Sequence, residues 1–149
     1  MTKLEPGDKA PNFSGKDQDG NVHSLSDYKG KKLVVFFYPK ANTPGCTAEA
    51  CDLRDNYAQF QAGNYALLGV SADNPKAQSN FKNKFDFPFP LLADEDKAVI
   101  QAFGVWGPKK FMGKEYDGIH RTTFVIDENG IIEKVITDVK TKAHAKQIL

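Results

Sequence analysis

The chain lacks the features that mark several large classes of protein. Its 149 residues include only two cysteines and three histidines, and the histidines are too dispersed to form a metal site with the cysteines. No apolar run approaches the ~20 residues that cross a bilayer, and the amino terminus has no apolar signal core. We therefore expect no metal site, no membrane partner and a cytoplasmic location, although a processed organellar protein would show the same pattern.

An excess of charge of either sign is also missing. Lys and Arg total 20, Asp and Glu total 19, and the net charge is +1. The lysines are scattered among acidic residues, whereas nucleic-acid-binding domains concentrate basic residues on one surface. Glycine-rich nucleotide motifs and a Ser-His-Asp constellation are absent as well. The sequence thus predicts no nucleic-acid partner.

Length and composition predict one globular domain. A chain of 149 residues, 40% hydrophobic and 26% charged, is of ordinary composition and large enough to bury a core. It contains no internal repeat, low-complexity tract or linker. We therefore expect a single domain over residues 1–149.

The hydrophobic pattern predicts strands and helices that alternate. Residues 33–38 and 65–71 are apolar, β-branched or aromatic runs typical of buried strands. Apolar residues three and four apart predict a helix over residues 44–61, ended by Gly63. The other predicted elements are a hairpin of residues 13–16 and 21–25, a helix from Pro75 to about Phe85 that Asp73 and Asn74 open, a short extended piece bracketed by Pro88 and Pro90 that leads to residues 91–92, a helix capped by Asp94 that runs to about Phe103, a hairpin of residues 122–126 and 131–137, and a helix from about Thr141. This order predicts an α/β fold with a central mixed sheet.

Cys46 is the most informative residue, because the pattern places it in the first turn of a helix that follows a buried strand. Pro39 ends the strand, Thr43 is a good N-cap and Pro44 suits the first helical position. Free N–H groups and the positive end of the helix dipole favour an anion there. A thiol in such a position ionises more readily, and the thiolate is its reactive form. The alternative is that Cys46 is a small buried hydrophobic residue.

Several stretches of the sequence resemble the peroxiredoxin family. Pro39, Thr43 and Cys46 match its Pro-x-x-x-Thr-x-x-Cys signature. The similarity is to the branch called peroxiredoxin Q, or bacterioferritin comigratory protein, and its main stretches are residues 7–13, 38–51 and 105–127. The resemblance covers essentially the whole chain. It implies a thioredoxin-like α/β fold, with a central mixed β-sheet flanked by helices and an N-terminal β-hairpin extension.

The resemblance also implies roles for individual residues. Cys46 is then the peroxidatic nucleophile, and the Thr43 hydroxyl, beyond its role as an N-cap, contacts the thiolate and the peroxide. Arg121 supplies a fixed cation beside Cys46, although an arginine at a strand entrance is usually surface charge. The remaining implied site residues are Pro39, which shields the thiolate, Gly45, whose helix N–H faces the substrate, and Glu49, which anchors Arg121.

Cys51 is the implied resolving thiol, and its spacing from Cys46 has a structural consequence. Five residues along an ideal helix place the two Cα atoms ~8.6 Å apart, beyond the limit of ~7 Å for a disulfide. The start of the helix must therefore unwind after Cys46 becomes a sulfenic acid. The alternative for Cys51 is a buried helix residue on a face away from Cys46.

The segment before Arg121 allows two interpretations. Its large side chains either form an apolar wall near the site or belong to the ordinary core: Trp106, Phe111, Met112 and Tyr116. His120 is interpreted as a packing or hydrogen-bonding residue.

Taken together, these features predict a thioredoxin-dependent peroxidase. Cys46 reduces hydrogen peroxide or an alkyl hydroperoxide, Cys51 closes an intramolecular disulfide, and thioredoxin or a similar dithiol reductant restores both thiols. No metal, haem or flavin cofactor is required, and the resemblance favours a monomer. Two rival functions are a thiol–disulfide oxidoreductase, which typically uses Cys-x-x-Cys, and a redox-inactive thioredoxin-like binding module.

Overall fold

A five-stranded mixed sheet forms the centre of the fold in a computed structural model that describes residues 2–149. The strands, in their order across the sheet, are β5 (Leu91–Ala93), β4 (Tyr65–Ser71), β3 (Lys32–Phe37), β8 (Thr122–Ile126) and β9 (Ile132–Ile136). β3 pairs in parallel with β4 and antiparallel with β8. Because β3 and β8 are covered on both faces, their sequences are continuous apolar runs rather than alternating ones. The expected central mixed sheet is confirmed.

Helices cover both faces of this sheet. One face packs against α1 (Pro44–Asp55), α2 (Tyr57–Ala62), α3 (Pro75–Phe85) and α5 (His144–Ile148), and the other packs against α4 (Ala98–Ala102). β3 contributes side chains to the hydrophobic core on both faces of the sheet, since Val34 and Phe36 point to the first face while Val35 and Phe37 point to the second. Within residues 2–149, no helix is long and apolar enough to cross a membrane.

Two short hairpins lie outside the central sheet. The first joins β1 (Ser14–Lys16) to β2 (Val22–Ser24), as predicted. The second joins β6 (Trp106–Phe111) to β7 (Lys114–Ile119), and the sequence did not predict it. Both of its turn residues have positive φ, 51° at Met112 and 79° at Gly113, and methionine in that position gives no turn signal.

The second hairpin corrects both interpretations for three of its four large side chains. Phe111, Met112 and Tyr116 are exposed, so they form neither an apolar wall nor core, whereas Trp106 packs against the core. The strands escaped prediction because nearly every position from Pro108 to Asp117 is partly or fully exposed, which removes the alternation that marks a half-buried strand.

Three predicted helices have different bounds. The helix over residues 44–61 is divided at Asn56, where φ is −105° and ψ is 14°, and where the side chain donates to the Asp52 carbonyl at 2.8 Å beside the backbone N–H. The helix predicted from Asp94 begins at Ala98, although the Asp94 carboxylate still accepts from the Ile100 N–H at 2.8 Å. The last helix begins at His144 rather than near residue 141. Asn74 does cap α3, because it accepts from the Ala77 N–H at 2.8 Å.

Candidate active site

The candidate active site lies where β3 ends and α1 begins. Cys46 is in the first turn of α1 as predicted, and its side chain is buried in the core cluster that also contains Tyr38, which follows β3, and Ala50 of α1. Pro39 is partly buried in the connection between the two elements. A thiol at this point faces the free N–H groups and the positive end of the helix dipole.

Arg121 reaches Cys46 because of the strand topology. It directly precedes β8, and β8 runs antiparallel to β3 with Thr122 opposite Phe37, so the entrance of β8 lies beside the exit of β3. The Arg121 Nη2 donates to Cys46 Sγ at 3.2 Å. A Cβ atom at Gly45 would lie 3.3 Å from the same nitrogen, which explains why a residue without a side chain suits this position. Arg121 is therefore part of the site rather than free surface charge.

Glu49 binds the second terminal nitrogen of the Arg121 guanidinium, Nη1. Its Oε1 accepts from Arg121 Nη1 at 2.6 Å, and its side chain is completely buried. Burial raises the pKa of Glu49 to about 7, although the Arg121 charge acts in the opposite direction. For Arg121, burial opposes the charge, but Glu49 and Cys46 outweigh it and raise the pKa of the guanidinium. The geometry places Glu49 where the anchoring role requires it.

Thr43 is the N-cap residue of α1, but its hydroxyl does not make the expected capping bond. The backbone is extended there, with φ −101° and ψ 157°. The hydroxyl donates instead to the Lys40 carbonyl at 2.7 Å. Since a hydroxyl has one proton to donate, Thr43 Oγ1 is left as an acceptor toward other groups.

Cys51 lies on the same helix as Cys46, and both are free thiols. Its side chain is partly buried against the cluster that also holds Cys46. Burial raises the pKa of the Cys51 thiol, while Arg54 acts in the opposite direction. In the intact helix Cys51 is therefore less readily ionised than a free cysteine.

An open groove borders the guanidinium on its outer side. It has a volume of about 390 Å³ and is lined by Lys109, His120, Arg121, Thr122 and Thr137. Lys109 Nζ donates to the Ile119 carbonyl at 2.9 Å, and burial followed by the nearby Arg121 charge lowers the pKa of Lys109. His120 Nε2 lies 2.9 Å from the Pro108 carbonyl oxygen, which fits its interpretation as a hydrogen-bonding residue.

Sequence reasoning missed one residue of this neighbourhood. His144 opens α5, is completely buried, and has its Nε2 3.4 Å from Glu49 Oε2. No signal in the sequence links it to Cys46, because only the docking of α5 against α1 brings it there. Among residues 2–149, no group of three or more His, Cys, Asp or Glu side chains is placed to hold a metal ion.

Known proteins match this chain over nearly its whole length. Residues 6–135 match the model of the AhpC/TSA family. Peroxiredoxin Bcp of Escherichia coli strain K12 is 50% identical over 149 residues, which cover 100% of this chain and 96% of that protein. A putative peroxiredoxin of Haemophilus influenzae is 46% identical over 149 residues, with the same coverage of 100% and 96%.

Solved structures agree with these relatives. A structure of peroxiredoxin Q from Xanthomonas campestris has a TM-score of 0.88 and 35% identity, and the match covers 99% of this chain and 94% of that one. Peroxidoxin BcpB from Mycobacterium tuberculosis has a TM-score of 0.85 and 36% identity, with 97% and 93% covered. Taken with the sheet order and the matched sequence, these findings show that the chain has a thioredoxin-like fold and belongs to the AhpC/TSA family, in its peroxiredoxin Q or bacterioferritin comigratory protein branch.

Proposed function

We propose that this thiol peroxidase uses Cys46 as its nucleophile. The observation that carries the proposal is the hydrogen bond of 3.2 Å from Arg121 Nη2 to Cys46 Sγ at the start of a helix, because it stabilises a thiolate. The thiolate attacks one oxygen of the peroxide, an S–O bond forms and the O–O bond breaks. The other oxygen leaves as hydroxide or alkoxide and takes a proton to become water or alcohol, while Cys46 becomes a sulfenic acid.

The groups around Cys46 support binding of the peroxide in line with the thiolate. The Arg121 guanidinium and the first-turn N–H groups near Gly45 can stabilise charge on the leaving oxygen. The Thr43 hydroxyl donates its proton in the hydrogen bond to the Lys40 carbonyl, so its oxygen serves as an acceptor for the peroxide O–H. Pro39, partly buried in the connection from β3 to α1, has the role of shielding the thiolate in this proposal. Both hydrogen peroxide and an alkyl hydroperoxide fit this arrangement.

Cys51 is the resolving thiol in this proposal. Its sulfur attacks the sulfenic sulfur of Cys46, a disulfide forms, and the hydroxyl leaves as water. The ideal-helix separation of ~8.6 Å between the Cα atoms requires the first turns of α1 to open before this step. Opening also moves Cys51 out of the partly buried position that raises its pKa, which makes it a better nucleophile at the moment it is needed.

A protein dithiol such as thioredoxin then reduces the disulfide. One thiolate of the reductant attacks a sulfur of the Cys46–Cys51 disulfide and forms a mixed disulfide. The second thiol of the reductant then attacks that mixed disulfide, which frees both cysteines as thiols and leaves the reductant oxidised. We infer a monomer of one domain over residues 1–149, without a cofactor or a nucleic-acid partner, that works in the cytoplasm, where such reductants keep thiols reduced.

A coupled assay tests this function. Peroxide consumption is followed with thioredoxin, its reductase and NADPH. In a separate assay without thioredoxin, the reduction of insulin by this peroxidase is measured. We expect peroxide-dependent NADPH oxidation, no insulin reduction, and complete loss of turnover in Cys46→Ser. Insulin reduction without peroxide turnover would indicate a thiol–disulfide oxidoreductase, and the absence of both activities would indicate a binding module.

A further inference from the structure

Behind Arg121 lies a buried acid–base pair that the peroxidase mechanism above does not use. Glu49 Oε2 is buried and has no hydrogen-bond partner, and it is alone in this among the side-chain N and O atoms of residues 2–149. The facing group is His144 Nε2, 3.4 Å away, and the exposed fraction of both side chains is 0%. An unpartnered carboxylate oxygen in a dry site carries a desolvation penalty, so its neighbour matters.

Hydrogen bonds around His144 determine where its proton lies. Gln147 Nε2 donates to the Asp138 carbonyl at 2.8 Å, so Gln147 Oε1 is an acceptor, and His144 Nδ1 at 2.7 Å from it carries a proton. In the neutral ring Nε2 is then an acceptor, 2.7 Å from the Thr123 hydroxyl. Neutral His144 therefore offers nothing to an ionised Glu49. The contact becomes a hydrogen bond only when the pair holds one additional proton, on Oε2 or on Nε2.

We propose that Glu49 and His144 form a proton-holding site whose occupancy is coupled to the ionisation of Cys46 through Arg121. With the proton present the pair is neutral overall, and the Arg121 charge is available to the Cys46 thiolate. Without it, the Glu49 carboxylate competes with the thiolate for the same guanidinium. The inference rests on the proposed function, since it concerns how the nucleophile is kept as a thiolate, and it makes His144 a positioning residue that acts through Glu49 and Arg121.

The step is a proton exchange without redox change. The S–H bond of Cys46 breaks, an O–H or N–H bond forms on the pair, and solvent carries the proton, so the total charge of the site is unchanged. Burial raises the pKa of Glu49 to about 7, and burial lowers the pKa of His144. The first shift favours a proton on the pair, and the second opposes a proton on His144, so the additional proton lies on Glu49 Oε2.

The charged and titratable groups around the pair come from several elements. Arg121 faces Glu49 from the entrance of β8, and Asp52 of α1 lies near His144 while it accepts from the Ala145 N–H at 2.7 Å. Lys109 of β6 acts on Arg121 and Cys46 from the groove side. Asp52 favours a proton on the pair and Arg121 opposes it, and the Cys46 thiolate shares the Arg121 charge with Glu49.

Two substitutions should act in opposite directions. Glu49→Gln keeps an acceptor for Arg121 Nη1 and mimics the protonated pair, so the pH at which half of Cys46 absorbs as thiolate should fall by about 0.5–1 unit. His144→Gln removes the titratable ring but can donate to an ionised Glu49, so the same midpoint should rise by a similar amount. A purely structural role of the two residues would move both midpoints in one direction, and that result, or no movement, would overturn the proposal.

Coupling is reciprocal, which gives a second test in a protein with an unaltered pair. Nitrogen NMR of His144 Nε2 is followed against pH in the reduced protein and in Cys46→Ser, which has no thiolate. We expect the pair in Cys46→Ser to lose its proton at a pH lower by about 0.5 unit or more. Ile148→Val, a small change in the same helix, is the control and should leave the titration where it is.

Equal titration in the reduced protein and in Cys46→Ser would contradict the inference. This readout needs no peroxidase activity, so the two proposals can fail separately. Coupled titration in a protein that does not turn over peroxide would refute the proposed function alone, whereas an active peroxidase with uncoupled titration would refute the proton-holding site alone.

Discussion

At the scale of single residues, the site depends on how one guanidinium is shared. Arg121 uses Nη1 for Glu49 at 2.6 Å and Nη2 for Cys46 at 3.2 Å. The planar fork makes both bonds at once, which a lysine ammonium on a flexible stem would not reproduce. Glu49 holds the Arg121 guanidinium in position, and the guanidinium in turn favours the thiolate form of Cys46.

Arg121→Ala should slow peroxide attack by about 10²-fold, because the thiolate and the leaving oxygen both lose a charged donor. Arg121→Lys should recover part of the rate but not all of it. Single-turnover rates and thiolate absorbance against pH measure the two effects separately. Arg54→Ala, which removes a cation from the far end of α1, is the control and should leave the rate unchanged. An unchanged rate and an unchanged thiolate fraction in Arg121→Ala would return Arg121 to the role of surface charge.

At the scale of elements, the division between α1 and α2 matters for the resolving step. Both cysteines lie in α1, which ends at Asp55, and the non-helical backbone of Asn56, with φ −105° and ψ 14°, separates α1 from α2. The first helix can therefore open without pulling α2 away from the sheet. Its contact with α5 through Asp52 and the Ala145 N–H opposes that opening.

Oxidation should melt α1 alone. We expect the amides of residues 44–53 to lose protection from hydrogen exchange in the disulfide form, because the bonded cysteines cannot both remain in one helix. The amides of α2, β3 and β4 should keep their protection. Hydrogen exchange on both redox forms measures this, with the Cys51→Ser variant after peroxide treatment as the control for oxidation without a disulfide. Identical protection of residues 44–53 in the two forms would refute the unwinding step.

At the scale of the whole molecule, Glu49 links stability to pH. Its pKa is raised by burial from 4.5 to about 7, so the folded state binds more protons than the unfolded state between these values. The contribution of Glu49 to stability is therefore fully present below about pH 4.5 and is lost as pH rises to about 7.

Compared with Glu49→Gln, the protein should lose about 3 kcal/mol of unfolding free energy between pH 4.5 and pH 7. Urea denaturation of both proteins across this range gives the difference, which removes contributions that they share, such as that of Asp94. A constant difference from pH 4.5 to pH 7 would show that Glu49 is ionised throughout the range.

Sequence patterns predicted the layers of the molecule and the position of Cys46 at the start of α1 better than the edges of the fold. The runs at β3 and β8 and the Thr43–Cys46 turn are local signals, and they placed Cys46 at its helix start. Arg121 required a resemblance, because the β3–β8 pairing that brings it to Cys46 is long-range. His144 escaped because its role depends on how α5 docks, and the β6–β7 hairpin escaped because it buries almost nothing.

The central claim is that Cys46 is oxidised first and that Cys51 resolves it. The most direct measurement treats Cys51→Ser with one equivalent of peroxide in the presence of a dimedone probe and locates the adduct by mass spectrometry. We predict one adduct at Cys46, and none in the protein with both cysteines, where the disulfide forms instead. An unlabelled Cys46 in Cys51→Ser, or full thioredoxin-dependent cycling of that variant, would contradict the account.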